Sequence, residues 1–356
     1  MDKQIVKVDR NEAEAFALTF LTPFYDQGRG NSTTAKRIVT GLKLKHQIRT
    51  NVVAYDEQSF TADLVVQMEK SQLLHVLHFR RFAEWLEKNK VDIKIPYLVT
   101  SGGTDVNIDI FLPEYKEQIG NVLKNAAAIT VYSEDAKQKL IDVYGNLNEK
   151  IFIIKQSVWF PQLTDDDSNK ILKLSETGPK IVLPAGLREV KDVLFVLPAL
   201  IKLKEHFPAL TFTIVGASIE GSVLKEVKRA IEKYSWITYY EEIPLAQMIS
   251  IYEQSDIVIN SSFSEGQSLA LLEAMLIGKP VLARNNGGNR SIVRHRETGF
   301  LFDDVDQVYD QLNELLSNCS LYQQIASQGR EYVRGNHTLE EEVNTYMRLY
   351  EQISLR

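Results

Sequence analysis

Short apolar runs recur along the chain, each followed by a polar turn and then a longer stretch with helical spacing. The first that reads as a buried strand is AFALTFLTPF at 15–24, and others follow at 72–79, 95–101, 127–133 and 150–155. Helical patterns at 81–90 and 134–144 lie between them. A second series opens with a strand at 181–185 and continues through 212–216, 236–240, 256–260, 281–283 and 298–302, with a helix over 193–207. Strands alternating with helices imply parallel, doubly wound sheets. Two such series imply an α/β protein of two doubly wound, parallel-sheet domains.

The periodicity fails at VWFPQLTDDDSNKILKLSETGPK, polar and acidic with two prolines. The expected division is therefore a first domain over 1–160, a linker over 161–180 and a second domain over 181–337. A last helix follows from Thr338, whose hydroxyl and Glu341 three residues on form a capping box.

The densest pattern is DIVINSSFSEGQSLALLEAMLIGKP at 256–280. It reads as a strand, a loop and a helix opened at Ser268 and closed by Gly278 before Pro280. That helix is apolar all round, which marks it as buried, yet Glu273 stands in its middle. A buried carboxylate needs a partner. Leu269 and Ile277 occupy the positions four residues away, so the partner comes from elsewhere in the fold or from a ligand. The free N–H groups at the helix start suit an anion. Glu265 lies before that start and Glu273 about 7 Å inside it, at 1.5 Å per residue, so the two carboxylates flank the anion. A diphosphate with a sugar at each end fits this arrangement.

Composition narrows the partners. The 356 residues contain 44% hydrophobic positions, enough for two ordinary cores, and a formal charge of −6 argues against nucleic acid. Cys319 is the single cysteine, which excludes an internal disulfide and points to a reducing compartment. No apolar run has the length of a membrane span and the N-terminal stretch lacks a signal-peptide core, so a cytoplasmic location is expected. Lys36, Arg37, Lys43, Lys45 and Arg49 read as a solvated face that leaves peripheral membrane contact open. Asp165, Asp166 and Asp167 lie in the linker with no strand ahead of them, and no metal site is expected there.

Several loops fall at carboxyl ends of strands, where ligands bind in doubly wound sheets. The loop from Tyr25 to Thr33 is not a dinucleotide fingerprint, because Thr33 stands where a third glycine would follow Gly28 and Gly30. With Gly30, Asn31 and Thr34 it is expected to line the cleft. His78 and the turn containing Gly103, Thr104 and Asp105 face the same cleft from the first domain. Gly186, Arg188 and Lys191 follow the first strand of the second domain.

Glu265 and Glu273, eight positions apart within SEGxSxxxLEAMxxGKPV, resemble the paired-glutamate signature of retaining glycosyltransferases of family four. GNxxTAxR at 30–37, GGTDVN at 102–107 and GLRxVKD at 186–192 resemble the glycosyltransferase 1 domain-containing protein subfamily. The resemblance implies a GT-B fold, with two Rossmann-like domains facing across a cleft and helix 338–356 packing back on the first. It implies transfer of a hexosyl unit from a nucleoside-diphosphate sugar, with UDP expected, to a glycan, lipid or small-molecule acceptor on the first domain. Arg188 and Lys191 would neutralise the diphosphate in place of a metal, with no further cofactor. Glu265 would contact the donor sugar and Glu273 the ribose diol. Gly266, Gln267, Ser268, Leu269, Gly186 and Ile243 would complete the donor site. The chain departs from the family at Gly102-Gly103, where His-Gly is usual, and in the short Arg188-to-Lys191 interval. The alternative is therefore a nucleotide-sugar-binding protein with little or no transferase activity.

Overall fold

A computed structural model describes residues 16–27, 30–161 and 172–355. The Asp165–Asp167 cluster, Gly28 and the N-terminal fifteen residues lie outside the described residues. The first half runs β1 (Leu18–Thr22), α1 (Gly30–His46), β2 (Thr50–Ala54), α2 (Ala62–Glu69), β3 (Leu73–Leu77), α3 (Phe79–Asn89), β4 (Tyr97–Thr100), α4 (Thr104–Asn107), α5 (Pro113–Asn125), β5 (Ala128–Val131), α6 (Glu134–Tyr144) and β6 (Ile151–Ile153). The second half has β7 (Lys180–Pro184), α7 (Leu197–Leu203), β8 (Thr211–Val215), α8 (Gly221–Lys233), β9 (Ile237–Tyr240), α9 (Leu245–Gln254) and β10 (Ile257–Asn260). It continues with α10 (Leu269–Ile277), β11 (Val281–Arg284), α11 (Gly287–Arg290), β12 (Phe300–Phe302), α12 (Val305–Ser317), α13 (Cys319–Asn336) and α14 (Leu339–Ser354).

The strands form two parallel six-stranded sheets, ordered β2-β1-β3-β4-β5-β6 and β12-β11-β10-β7-β8-β9. β1, β3 and β10 are buried along their whole length, because helices cover both faces of each sheet. In each sheet the opening strand lies inside the order, β1 between β2 and β3, and β7 between β10 and β8. Strand order reverses at β1/β3 and at β7/β10, and the crevice beyond the carboxyl ends there is where such sheets bind ligands. The two sheets and their helices form the GT-B fold.

α14 packs on the first sheet. Val343, Tyr346, Tyr350 and Ile353 share a core with Leu18, Phe20, Ile38 and Leu42. His75 sits inside this contact, its two ring nitrogens 2.6 Å from Tyr350 Oη and 2.7 Å from Thr100 Oγ1. Burial drives its pKa down to about 3, so it serves as a neutral link. Arg37 is buried, with 1% of its side chain exposed, and its Nε donates to Glu342 Oε2 at 2.8 Å. This corrects the solvated-face reading for Arg37, which faces Glu342 and not water because α14 covers that side of α1; Lys43, Lys45 and Arg49 are exposed as expected.

The sequence reading missed β2, whose TNVVA carries only one fully buried position. α1 begins at Gly30, about four residues before the expected start, so Gly30, Asn31 and Thr34 lie on its first turns. The helix expected over 193–207 is regular only over Leu197–Leu203. It is preceded by a 3₁₀ turn at Glu189–Lys191 that ends on Asp192 at φ 44°. After β11, Gly287–Arg290 form a single helical turn capped by the Asn286 side chain, which accepts from Asn289 N at 2.9 Å.

Candidate active site

The site is organised by the end of β10. IVIN is buried on both faces, and Asn260, its last residue, fans the following loop open. Asn260 Nδ2 donates to Glu265 Oε1 at 2.9 Å and to Ser268 Oγ at 3.2 Å, while its Oδ1 accepts from Ser262 N and Asn289 Nδ2, each at 3.1 Å. Ser268 is the N-cap of α10, but its hydroxyl makes no capping bond and the first amides of the helix have no side-chain acceptor. The capping role expected from sequence is thus replaced by the Asn260 contact.

Glu265 is fixed by charge. Lys191 Nζ lies 2.6 Å from Glu265 Oε1, and Ser262 Oγ donates to the same oxygen at 2.7 Å. Burial works to raise the pKa of this carboxyl, but Lys191, Asn260 and Ser262 outweigh it and hold the group below the usual range. Lys191 comes from the 3₁₀ turn after β7, so the β7 and β10 ends are joined through this pair. Arg188 opens the same turn, and its Nε is buried without a hydrogen-bond partner among the described residues. Gly186 lies just beyond β7, where a Cβ would come 2.8 Å from Ile219 Cδ1.

Glu273 lies one turn and more inside α10 and is 5% exposed. Its partner is Tyr252 of α9, whose hydroxyl donates to Oε2 at 2.7 Å. Burial pushes its pKa up to about 7, against the Tyr252 hydrogen bond and the charge of Arg37. The two glutamates therefore differ in character: Glu265 is ionised and paired, while Glu273 is poised between acid and carboxylate near neutral pH. Ile243 and Leu269 pack on the core around α10.

The first domain meets this loop through glycines. A Cβ on Gly103, at φ 98°, would lie 3.1 Å from Gly266 N, and one on Gly266 would lie 3.0 Å from Gly103 Cα. Asn107 Nδ2 donates to Glu265 O at 2.8 Å, and Lys139 Nζ donates to Asn107 Oδ1 at 2.7 Å. Gln267 bridges the two domains. Its Oε1 accepts from Gln156 N at 3.1 Å, and its Nε2 donates to Ser291 Oγ at 3.1 Å and Tyr132 O at 3.4 Å. Thr34 Oγ1 and Arg37 Nη2 both reach Gln156 Oε1, so Thr34 belongs to this buried clamp behind the cleft.

His78 follows β3 as the N-cap of α3, in a left-handed conformation with φ 68° and ψ 86°. Its imidazole packs on Gly102, where a Cβ would come 2.7 Å from His78 Cδ2 and 3.2 Å from Asn31 Oδ1. Burial lowers its pKa to about 4 despite Asp105, whose Oδ2 lies 3.5 Å from Nδ1. Asp105 itself is saturated, accepting from Ser101 Oγ, Gly102 N, Phe79 N and Val106 N at 2.7–3.0 Å. It builds the loop on which Thr104 opens α4. Sequence reasoning missed Asn260 and Tyr252, and it reached Asn107 only as the end of the GGTDVN motif. The one signal for them was an asparagine closing a fully buried strand.

The fold is that of the two-domain GT-B glycosyltransferases. Residues 164–332 match the family described as glycosyl transferases group 1, and the second domain belongs to it. Glycosyltransferase 1 domain-containing protein 1 of Xenopus tropicalis is 29% identical over 326 residues, covering 90% of this chain and 93% of its own. N-acetyl-alpha-D-glucosaminyl L-malate synthase of Bacillus anthracis is 24% identical over 297 residues, covering 80% and 76%. Among solved structures, Anabaena HepE in complex with UDP and glucose superposes with a TM-score of 0.76 at 16% identity, covering 95% of this chain and all of that one.

Proposed function

We propose that the protein is a retaining, metal-independent hexosyltransferase of the cytoplasm that takes its sugar from a nucleoside diphosphate, UDP by preference. The observation that carries this reading is the Lys191–Glu265 pair at 2.6 Å beside the open amides of α10, with the unpartnered Arg188 Nε on the same turn. Cations from the β7 end and helix amides from the neighbouring β10 end suit a leaving diphosphate, and a carboxylate beside them suits the positive charge that develops at the sugar ring. The C1–O bond to the diphosphate breaks as an acceptor oxygen bonds C1 from the same face. The acceptor's proton passes to the departing diphosphate. Glu273, on the far side of the helix start from the sugar, takes the ribose diol. Gln267 and Thr34 keep the loop and the two domains in register. HepE and the pneumococcal O-GlcNAc transferase GtfA were each solved with UDP and a sugar, which supports UDP as the carrier.

Gly102, with the His78 imidazole packed on it in place of the family's histidine side chain, favours a second reading of nucleotide-sugar binding without transfer. Incubation with a panel of labelled UDP- and GDP-hexoses separates the two. Release of the nucleoside diphosphate with label in a new product supports transfer. Tight donor binding with neither release nor product supports binding alone.

A further inference from the structure

A cavity of about 660 Å³ opens beyond the carboxyl ends of β1 and β2, between the segment following β2 and one face of α3. Asp56, Gln58, Phe60, Arg81, Trp85 and Lys88 are among the residues that line it. It lies in the first domain, outside every contact described above, but Arg81 N donates to His78 Nδ1 at 3.5 Å, so its inner end is one helical turn from the cleft. Arg81 to Lys88 spans about 10 Å of helix at 1.5 Å per residue.

The wall is polar, and most of its charge is already paired. Asp56 pairs with Arg81 at 2.8 Å and Glu84 with Arg80 at 2.5 Å. Glu57 accepts three backbone N–H bonds from Tyr25, Asp26 and Gln27 at 2.8–3.1 Å. Against these three carboxylates the lining sets Arg81 and Lys88, and Arg80, behind the wall, is shared between Glu84 and Asp109, so the wall carries one net negative charge and an anionic ligand gains nothing from it. Arg81 Nε and Nη2 and the Lys88 ammonium make no hydrogen bond within the described residues, and together with Gln58 they offer donors and acceptors. Phe60 is 37% exposed at the rim, held edge-on to the buried Trp85 at 5.7 Å. A neutral ring compound covered in hydroxyls matches such a wall, because each hydroxyl both donates and accepts and a ring face lies on an aromatic side chain. The volume is in the range of small-ligand sites. A lipid tail would need an apolar trough that this wall lacks.

We propose that this groove is the acceptor subsite and that the acceptor is a neutral oligosaccharide whose reacting end points toward His78. The inference rests on the transferase reading above. Maltotriose, cellotriose and N-acetyllactosamine serve as probes by saturation-transfer NMR, with glucuronate and lysophosphatidylcholine as the ionic and lipid controls and UDP binding measured in parallel. At least one neutral probe should bind in preference to both controls. Phe60→Ala and, separately, Asp56→Asn should each weaken that binding about tenfold while leaving UDP affinity unchanged. The groove assignment is overturned if no neutral probe binds with a Kd below about 10 mM while UDP does, if a control outcompetes the sugars, or if both variants bind the probe like wild type. Failure of the wild type to bind UDP sinks the transferase reading instead.

Discussion

Lys191 Nζ stands 2.6 Å from Glu265 Oε1, tying the turn after β7 to the loop that opens α10. The pair places a cation where a diphosphate would depart and a carboxylate where a sugar ring would gain charge, and it sets the two tests that follow.

Glu265→Gln removes the charge while keeping size and most hydrogen bonding. Turnover should fall about 10²-fold, some 2.7 kcal/mol of transition-state stabilisation. Affinity for bare UDP, which has no sugar for Glu265 to touch, should stay within about twofold by calorimetry. Loss of UDP affinity would place Glu265 on the nucleotide instead.

Arg188→Ala and Lys191→Ala should each lower kcat by at least about tenfold, because leaving-group charge is greatest in the transition state. A chelator should leave wild-type rates unchanged, and magnesium should restore little to either variant. Full rescue by a divalent ion would contradict the metal-free mechanism.

Glu273 should reveal itself through pH. Its folded pKa of about 7 lies above the ordinary carboxyl value, so between roughly pH 4.5 and 7 the folded state holds a proton that the unfolded state has lost. Its contribution to stability is therefore complete below that window and declines as pH rises through it. Glu273→Gln should be more stable than wild type near pH 8, by about 3 kcal/mol in urea unfolding, and the two should converge near pH 4.5. If the carboxylate takes the ribose diol, UDP binding near pH 7 should release protons, seen as a dependence of the calorimetric enthalpy on buffer ionisation. The Glu273→Gln variant, with an amide that does not titrate, should release none from this position.

Glu342→Ala leaves Arg37 buried with no carboxylate. Because removing one partner of a buried pair strands the other charge, it should cost about 3–5 kcal/mol in urea unfolding. Lys45→Ala, which loses only an exposed pair with Glu340, should leave the urea midpoint close to that of the wild type.

The alternation of strands and helices was legible because parallel strands are buried on both faces and leave continuous apolar runs, as at Ile257–Asn260. β2 was not, since an edge strand with one buried position carries too little pattern. In the site, the spacing of Glu265 and Glu273 on either side of a helix start could be read directly. Their partners could not: Lys191 lies 74 residues from Glu265 and Tyr252 lies 21 from Glu273, brought close only by the sheet order. Arg37 misled for the same reason. A basic residue on a polar helix reads as solvated until the last helix of the chain covers it.

The central claim is transfer with retention at the Glu265 site. It is tested most directly by proton NMR of the reaction with an α-linked UDP-hexose, following the anomeric signals as UDP is released. The product's first-formed anomeric proton should carry the small coupling of an α linkage, and Glu265→Gln should slow its appearance about 10²-fold without changing that coupling. A β-linked product, or donor that binds and is never consumed, would contradict the account.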